Sequence, residues 1–318
     1  MNKDRLNIVF FGTPDFAIPA LKVLINNERN VSAVFTGHGP VKIIAQEQGI
    51  KVFQPTSLKK DDRVFEEFKS LNPDLCVITA YGKIIPRQYL DIPKYGFINI
   101  HPSLLPKYRG PSPVQTAILN GDEETGVTIM IVDEEIDHGP ILANEKFKVK
   151  SEKYYPEVVR DLAEIGAKLL IETIPRYIKE EIEARPQEHK KATFTKMFKR
   201  EDGRINWNNP AEKIYNQVRA LNPEPGTWTT WFTRRSLDEG RKGKVINILN
   251  VTTCDIVNSQ ETTPRQVPGT VIKVNGNIAV ATKTCYLILK SIQLEGGKVM
   301  DAKSFVNGHP DFLNSKLE

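Results

Sequence analysis

The chain has 318 residues, of which 40% are hydrophobic and 26% charged, an ordinary composition for a globular protein that excludes general disorder. Its length suits two domains, and no apolar run approaches the about 20 residues that a membrane-spanning helix needs. The net charge of +5 is too small to identify a class of partner by itself.

The first half of the chain alternates strand patterns with helix patterns. Residues 6–11 form a continuous apolar run, which is typical of a parallel strand buried on both faces. The other predicted strands are residues 31–36, 74–79, 97–100 and 127–132, and the predicted helices are residues 16–25, 41–48, 63–70 and 157–179. This alternation predicts an α/β fold with a mostly parallel sheet.

The second half of the chain has a different pattern. After a predicted helix at 211–220, short strand patterns lie at residues 228–233, 245–251, 269–274, 278–282 and 286–289. Asn275-Gly276 predicts a hairpin between two of them, and several closely spaced strands favour a small barrel or sandwich. We therefore expect a first domain over 1–184, a basic linker over 185–205 and a β-barrel domain over 206–318.

Charge separates along the chain. Residues 1–184 carry a net charge of −3, residues 185–205 carry +4 and residues 206–318 carry +4. A basic second half favours a polyanionic partner on that side, although an ordinary solvated surface explains the same numbers.

The cysteines indicate a reducing compartment. Cys76, Cys254 and Cys285 lie far apart with no CxxC pair, which argues against disulfides and structural zinc. The histidines show no metal-ligand spacing, so we expect no metal. The polar start of the chain leaves no room for a signal peptide, and we expect a cytoplasmic protein.

An amide and an imidazole two residues apart are the first candidates for chemistry. Asn99 and His101 lie at the end of a predicted strand, where period-two alternation turns both to one face and where open α/β sheets bind ligands. Asn99 can donate to a developing oxyanion and His101 can exchange a proton, with Asp137 as the carboxylate that orients the ring. A histidine in this position can equally be structural, and the spacing does not decide.

Longer stretches carry a resemblance that covers almost the whole chain. They are FFGTPDFAIPAL (10–21), AYGKIIP (80–86), INIHPSLLPKYRGPSPVQ (98–115), GDEETGVTIM (121–130), DEEIDHGPIL (133–142), EDGRINW (201–207) and VRALNPEPGTWT (218–229). HPSLLP with a later Asp-x-Gly-Pro-Ile is shared by folate-dependent formyltransferases, whereas RGPSPVQ, GTPDFA and RALNPEPG are more specific. In these motifs the chain resembles the methionyl-tRNA formyltransferase family.

The resemblance implies a fold and a function. It implies a Rossmann-like first domain and an oligonucleotide-binding (OB)-like β-barrel as the second. It also implies transfer of the formyl group of 10-formyltetrahydrofolate to the amino group of methionyl-initiator tRNA, for translation initiation. The expected partners are that tRNA and the reduced folate, with no membrane, and the protein is expected to be a monomer.

The resemblance also implies roles for individual residues. The catalytic residues would be Asn99, His101 and Asp137. The folate cleft would be lined by Tyr81, Gly82, Ile84, Ile85, Pro86, Ser103, Leu104, Asp133 and Ile136. The methionyl end of the acceptor would meet Phe11, Gly12, Thr13 and Pro14. The residues expected to contact tRNA phosphates are Lys190, Lys191, Lys196, Lys199 and Arg200, which would otherwise be a solvated linker.

One departure from the family concerns the connection after the second strand. Relatives usually carry a longer, basic, glycine-containing loop there, whereas Thr36 is followed only by Gly37-His38-Gly39 before Pro40. Either the protein lacks this loop or a segment is missing from the chain. Its absence would put the usual acceptor-stem contacts in doubt but not the chemistry.

Parts of these motifs are also compatible with three other functions. They are formyl transfer to an amino sugar or a purine precursor, hydrolysis of the same folate with release of formate, and RNA binding without catalysis. The basic linker and RALNPEPG count against the first, the lack of an extra N-terminal segment counts against the second, and the intact Asn99, His101 and Asp137 count against the third.

Overall fold

A computed structural model of the chain describes residues 6–27, 29–232, 243–253 and 266–318. Cys254 and Thr233, the last residue of the predicted strand 228–233, lie outside the described residues. The chain forms two compact units. The first is Met1–Val114, Glu123–Ser151 and Glu157–Lys196, and the second is Gln115–Asp122, Glu152–Pro156 and Met197–Glu318.

The first unit is built on a seven-stranded sheet. Its strands are β1 Asn7–Gly12, β2 Asn30–Phe35, β3 Lys51–Phe53, β4 Leu75–Thr79, β5 Phe97–His101, β6 Glu124–Ile131 and β7 Ile141–Lys148. They lie in the order β3-β2-β1-β4-β5-β6-β7, with the first five parallel and β6 and β7 antiparallel. The predicted Rossmann-like, mostly parallel sheet is confirmed, and the strand order reverses between β1 and β4, where such sheets bind ligands.

Helices connect and cover these strands. They are α1 Ile18–Asn26, α2 Pro40–Glu47, α3 Asp62–Ser70, α4 Arg87–Leu90 and α6 Tyr155–Ile178, whereas α5 Pro113–Asn120 groups from residue 115 onward with the second unit. The Asp61 carboxylate caps α3 by accepting the backbone N–H of Val64. α6 packs close to β5, because a Cβ atom on Gly166 would lie only 2.7 Å from Ile100 Cγ2.

An aromatic core lies beside the end of β5 that carries Asn99 and His101. The Phe35 ring stacks on Phe11 and on Phe53 with ring centroids 4.6 Å apart in each pair. Phe97, two residues before Asn99 in β5, packs in the same cluster. Because such aromatic pairs each add about 0.5–1.5 kcal/mol beyond the area they bury, this core gives the site a rigid base.

The second unit contains a separate antiparallel sheet. Its elements are α7 Ala211–Leu221, β8 Trp228–Trp231, β9 Lys244–Thr253, β10 Val271–Val274, β11 Asn277–Ala281, β12 Tyr286–Leu294, β13 Val299–Asp301 and α8 Ala302–Gly308. The strand order is β10-β11-β12-β9-β8, and β13 pairs with β12. The predicted hairpin joins β10 to β11 through Asn275 and Gly276, whose φ angles are 47° and 74°. The strand path among the described residues is open, with β10 and β8 at its ends.

The last residues of the chain hydrogen-bond to both ends of that path. The Leu317 N–H donates to the Gly269 carbonyl at 2.9 Å, on the β10 side. The Glu318 N–H donates to the carbonyl of Thr230 in β8, also at 2.9 Å. The apolar core of this unit includes Trp207 and Trp231, so both indoles are structural.

The predicted linker 185–205 is divided between the two units, whose boundary falls between Lys196 and Met197. Arg185 and Ile141 exchange two backbone hydrogen bonds of 2.8 and 2.9 Å at the start of β7. Residues 185–196, called the strap below, therefore run along the first unit because their backbone groups find partners there.

Candidate active site

Two of the predicted catalytic side chains share one face of β5. Asn99 is half-buried and His101 is buried, whereas Ile100 between them faces α6. The alternation of a strand places Asn99 and His101 together, as the sequence pattern predicts.

The third predicted side chain reaches them from the loop between β6 and β7. Asp137 has a φ of 49°, in the left-handed region. Its Oδ1 accepts a hydrogen bond of 3.3 Å from the Asn99 amide, and its Oδ2 lies 3.5 Å from His101 Nδ1. Oδ2 also accepts the backbone N–H of Gly110 at 2.8 Å. The structure thus brings the three predicted catalytic residues into one group.

The imidazole of His101 is anchored through its other nitrogen. Nε2 lies 2.9 Å from the carbonyl oxygen of Tyr108. Because a carbonyl can only accept a hydrogen bond, Nε2 carries the proton in this contact. Nδ1, which faces Asp137, is therefore the nitrogen that can gain or lose a proton while the ring stays in place.

The predicted folate residues after β4 fall into a buried pair and an exposed pair. Tyr81 and Ile85 are buried in the aromatic core, and the Tyr81 hydroxyl has no hydrogen-bond partner. Burial raises the pKa of Tyr81, so this hydroxyl stays protonated. Ile84, by contrast, is 80% exposed, beside the exposed Gly82 with a φ of 73°. Pro86 immediately precedes α4.

The other predicted folate residues lie on two loops. The Ser103 hydroxyl donates to the Lys107 carbonyl at 2.6 Å, and Leu104 packs closely on Gly126. On the loop that carries Asp137, Asp133 lies 2.6 Å from His138 Nδ1, and Ile136 is 64% exposed. Ser103 and Leu104 therefore hold their loop, whereas Ile136 presents an apolar surface.

The predicted acceptor residues follow the end of β1 at the switch point of the sheet. Phe11 is core, and a Cβ atom on Gly12 would lie 2.9 Å from the Thr79 carbonyl, so only glycine fits there. The Thr13 hydroxyl accepts the backbone N–H of Gly37 at 3.0 Å, which ties the short turn before α2 to this site. Pro14 is exposed.

The strap supplies contacts that the sequence analysis missed. Gln187 is buried, and its amide nitrogen donates to the carbonyls of Asp137 and Gly139 at 2.9 and 2.8 Å. Its amide oxygen accepts from the buried Arg109 guanidinium at 3.1 and 2.7 Å. Thr195 lies against Gly110, whose φ is 106° and where a Cβ atom would be 2.9 Å from the Thr195 hydroxyl. The glycine after Arg109 is a sequence signal for the close approach of Thr195, but nothing in the sequence indicates the role of Gln187.

The predicted phosphate-binding side chains divide between the units. Lys190, Lys191 and Lys196 are exposed on the strap, and Lys191 forms a 2.7 Å ion pair with Glu188. In the second unit Lys199 is exposed, and Arg200 donates to the Asn247 side chain at 3.1 Å.

Two kinds of feature are absent from the described part of the chain. It contains no group of three or more histidine, cysteine or acidic side chains that could hold a metal ion. No helix of the described residues combines the length and apolar character needed to cross a membrane.

Two family models match successive parts of the sequence. The model described as formyl transferase matches residues 6–174, and the model described as formyl transferase, C-terminal domain, matches residues 197–310. The first match covers most of the first unit, and the second match lies within the second unit.

Solved structures share the fold at low sequence identity. HypX from Aquifex aeolicus superposes with a TM-score of 0.66 at 16% identity, over 96% of this chain and 48% of that one. An N-formyltransferase from Helicobacter canadensis, solved with folinic acid and dTDP-3-aminofucose, gives a TM-score of 0.65 at 19% identity, over 90% and 98% of the two chains. At these identities the likeness shows the fold alone.

Curated relatives are similar over nearly the full length. The methionyl-tRNA formyltransferase of Thermodesulfovibrio yellowstonii is 39% identical over 95% of this chain and 95% of its own. That of Carboxydothermus hydrogenoformans is 38% identical over 98% and 100%. The chain therefore belongs to the methionyl-tRNA formyltransferase family.

Proposed function

We propose that Asn99, His101 and Asp137 are the catalytic residues of a methionyl-tRNA formyltransferase. The enzyme transfers the formyl group of 10-formyltetrahydrofolate to the free amino group of methionyl-initiator tRNA. The observation that carries the proposal is the convergence of an amide, an imidazole and a carboxylate at the end of β5, with separations of 3.3 and 3.5 Å from Asp137.

Each side chain has a role that its contacts support. One N–H of the Asn99 amide donates to Asp137, which leaves the second N–H for the formyl oxygen as negative charge develops there. Loss of such a donor costs about 2.7–4 kcal/mol of transition-state stabilisation. We assign to His101 Nδ1 the proton that leaves the attacking amino group, with the Asp137 carboxylate 3.5 Å away to stabilise the charged ring. That proton then returns to the nitrogen from which the formyl group departs, so the transfer balances.

The loops beside this group fit a folate. The folate carries its formyl group on N10, the nitrogen that links the polar pterin ring to an apolar aminobenzoyl ring. Ile84 and Ile136 are exposed isoleucines on two different loops, and the Tyr81 hydroxyl is buried without a partner. We assign the cleft to Tyr81, Gly82, Ile84, Ile85, Pro86, Ser103, Leu104, Asp133 and Ile136, with Ser103 and Leu104 acting by holding their loop.

The methionyl end of the acceptor is assigned to the switch point of the sheet. Residues 11–14 follow β1 there, and the glycine at position 12 lets other groups approach the backbone closely. Phe11, which stacks on Phe35 in the aromatic core, forms the buried side of this proposed methionyl site.

We assign tRNA attraction to the basic strap and to the second unit. Lys190, Lys191 and Lys196 are exposed on the strap, and Lys199 and Arg200 begin the second unit. We propose an OB-like barrel for the second unit, in which the chain end bridges β10 and β8. The backbone hydrogen bonds of Leu317 and Glu318 support this closure.

The domain limits, oligomeric state and location complete the proposal. The catalytic domain comprises residues 1–184 together with the strap, apart from residues 115–122 and 152–156, which group with the second unit. The linker proper shortens to 197–205, before the second domain at 206–318. We propose a cytoplasmic monomer, and light scattering of the purified protein would test the monomer.

The test of the function compares acceptors. Formylation should occur with charged initiator tRNA and formyl-folate, and not with uncharged tRNA or an amino-sugar nucleotide. His101→Ala should lower kcat by about 10²–10⁴-fold and leave folate affinity nearly unchanged, because the imidazole acts mainly in the transition state.

A histidine outside the site provides the control for that variant. His309 packs beside Trp231 in the second unit, and His309→Ala should keep kcat. A near-normal kcat for His101→Ala would contradict the mechanism, and faster transfer to an amino sugar than to methionyl-tRNA would contradict the substrate.

A further inference from the structure

Gln187 is a buried side chain of the first unit that contacts the loop carrying Asp137. It lies on the strap, 50 residues from Asp137 in the chain, and its side chain is 5% exposed. All four hydrogen-bonding positions of its amide are used: two N–H groups donate to the carbonyls of Asp137 and Gly139, and the oxygen accepts twice from Arg109.

These contacts close a ring around Asp137. Arg109 is followed by Gly110, whose N–H donates to the Asp137 carboxylate at 2.8 Å. Gln187 joins the Arg109 guanidinium to the Asp137 carbonyl. The side chain of Asp137 is therefore held by Gly110, its backbone is held by Gln187, and Arg109 connects these two contacts. Thr195 fixes the other side of the Arg109 backbone through a 2.8 Å hydrogen bond.

The fixed position matters because the backbone of Asp137 is in an unfavourable conformation. Its φ of 49° belongs to the left-handed region, which aspartate enters more readily than most residues but still at a cost. Without Gln187, the loop loses the two hydrogen bonds to the carbonyls of Asp137 and Gly139, and we expect the carboxylate to shift relative to Asn99 and His101.

We infer that Gln187 is a positioning residue for the formyl transfer, which sets the place of the Asp137 carboxylate through the ring formed with Arg109 and Gly110. The inference rests on the catalytic role proposed for Asp137. By this inference the strap contributes to the formyl transfer and does more than connect the two units.

The decisive variant is Gln187→Glu. A glutamate still accepts from Arg109, so the buried guanidinium keeps its partner. Its second oxygen, however, faces the carbonyls of Asp137 and Gly139, where two acceptors repel each other. Because a displacement of about 1 Å can cost about 10²-fold in rate, we expect kcat to fall by about 10–100-fold and both KM values to change by less than about threefold.

A matched control exists in the second unit. Gln217 also donates to two backbone carbonyls, those of Asp202 and Arg204, at 2.8 and 3.1 Å. Gln217→Glu makes the same chemical change far from the proposed chemistry along the chain and should keep kcat. If Gln187→Glu folds poorly, Gln187→Asn keeps a neutral amide but shortens the reach, and the same selective loss of kcat is expected.

A double variant separates positioning from general damage. If Gln187 acts through Asp137, then Asp137→Asn with Gln187→Glu should be no slower than Asp137→Asn alone, within about threefold. Independent effects that multiply would overturn the inference, as would a normal kcat for Gln187→Glu. An inactive wild-type enzyme would instead contradict the proposed function.

Discussion

The Asp137 carboxylate shares its two oxygens among three neighbours. Oδ1 accepts from Asn99, and Oδ2 accepts from the Gly110 backbone and faces His101. A left-handed backbone costs a residue such as aspartate about 1–3 kcal/mol, which the surrounding contacts must offset. A side chain held in this way has little freedom, which suits a group that must act on a single proton.

Asparagine at position 137 would keep the size of this side chain but remove its charge. Because the new amide carries donors on one side, Asn99 or Gly110 would lose its acceptor. We expect Asp137→Asn to lower kcat by about 10²–10⁴-fold and to change the pH dependence of the rate, because a negative charge 3.5 Å from His101 Nδ1 is lost. Steady-state kinetics from about pH 5 to about pH 9 measure both effects.

An exposed aspartate supplies the comparison for this variant. Asp62 lies at the start of α3, and Asp62→Asn should leave the rate and the profile unchanged. An unaltered rate and profile for Asp137→Asn would remove Asp137 from the catalytic group.

At the scale of elements, the close packing of α6 on β5 helps to hold the strand that carries Asn99 and His101. Ile100 lies between Asn99 and His101 in β5, and its side chain meets the backbone of α6 at Gly166. The spacing of helix and strand therefore depends on a position without a side chain.

Gly166→Ala tests this dependence. An alanine in a helix is usually more stable than a glycine by about 1 kcal/mol, but here the methyl group would lie 2.7 Å from Ile100 Cγ2. We expect overpacking to lower the free energy of unfolding by about 1–3 kcal/mol and to reduce kcat, as measured by denaturation and by kinetics.

A second helical glycine provides the control, because an alanine there would have no neighbouring atom to clash with. Nothing lies within 4 Å of the corresponding position at Gly308 in α8. Gly308→Ala should therefore be neutral or stabilising. A stabilising Gly166→Ala would mean that this contact does not set the spacing.

The elements that the sequence predicted are those with a strong local pattern. The buried parallel strands appear as apolar runs, and α6 is a long amphipathic helix. β3 and β7 were missed because they lie at the two edges of the sheet: β3 has only three residues, and β7 ends in exposed, charged side chains. A strand with one neighbour needs little hydrophobic surface, so its pattern is weak.

The candidate site was predictable to the same degree. Alternation along β5 was enough to place Asn99 and His101 on one face. Asp137 was already the candidate carboxylate for orienting the imidazole, and the family resemblance implied the same role. Gln187 gave no signal, because its contacts join segments 50 and 78 residues apart and its neighbours in the polar strap follow no period. Side-chain partners of this kind become visible only in the folded chain.

At the scale of the whole molecule, the parts of the chain proposed for formyl transfer and for tRNA attraction differ in net charge. The catalytic part is net negative over residues 1–184, whereas the remainder carries the positive charge. Removal of everything after residue 184 would also remove the strap and Gln187. Charge variants of the full chain are therefore the sharper test of tRNA attraction.

Replacement of Lys190, Lys191 and Lys196 by glutamine should weaken tRNA binding in a salt-dependent way. Each neutralised phosphate contributes about 0.7–0.9 to the slope of log affinity against log salt, so three lost contacts should make the slope shallower by about 2–3. We expect KM for tRNA to rise and KM for the folate to stay the same. Titrations at several salt concentrations measure the slope.

The control removes the same charge elsewhere. Lys60, Lys69 and Lys168 are exposed in the first unit outside the strap, and their replacement by glutamine should leave the slope near that of the wild type. Equal slopes for the two triple variants would contradict the assignment of tRNA attraction to the strap.

The path of the strap also has a consequence for how the protein is made. Gly110 and Asp137, which are hydrogen-bonded, are 27 residues apart in the sequence. Arg109, by contrast, is hydrogen-bonded to Gln187 and Thr195, which are 78 and 86 residues away. A nascent chain that has not yet released its strap from the ribosome can form β5 with Asn99 and His101, yet it lacks the segment that holds Asp137. Because contacts between distant segments form late in folding, we expect a growing chain to gain formyl transfer only after residue 196 has emerged.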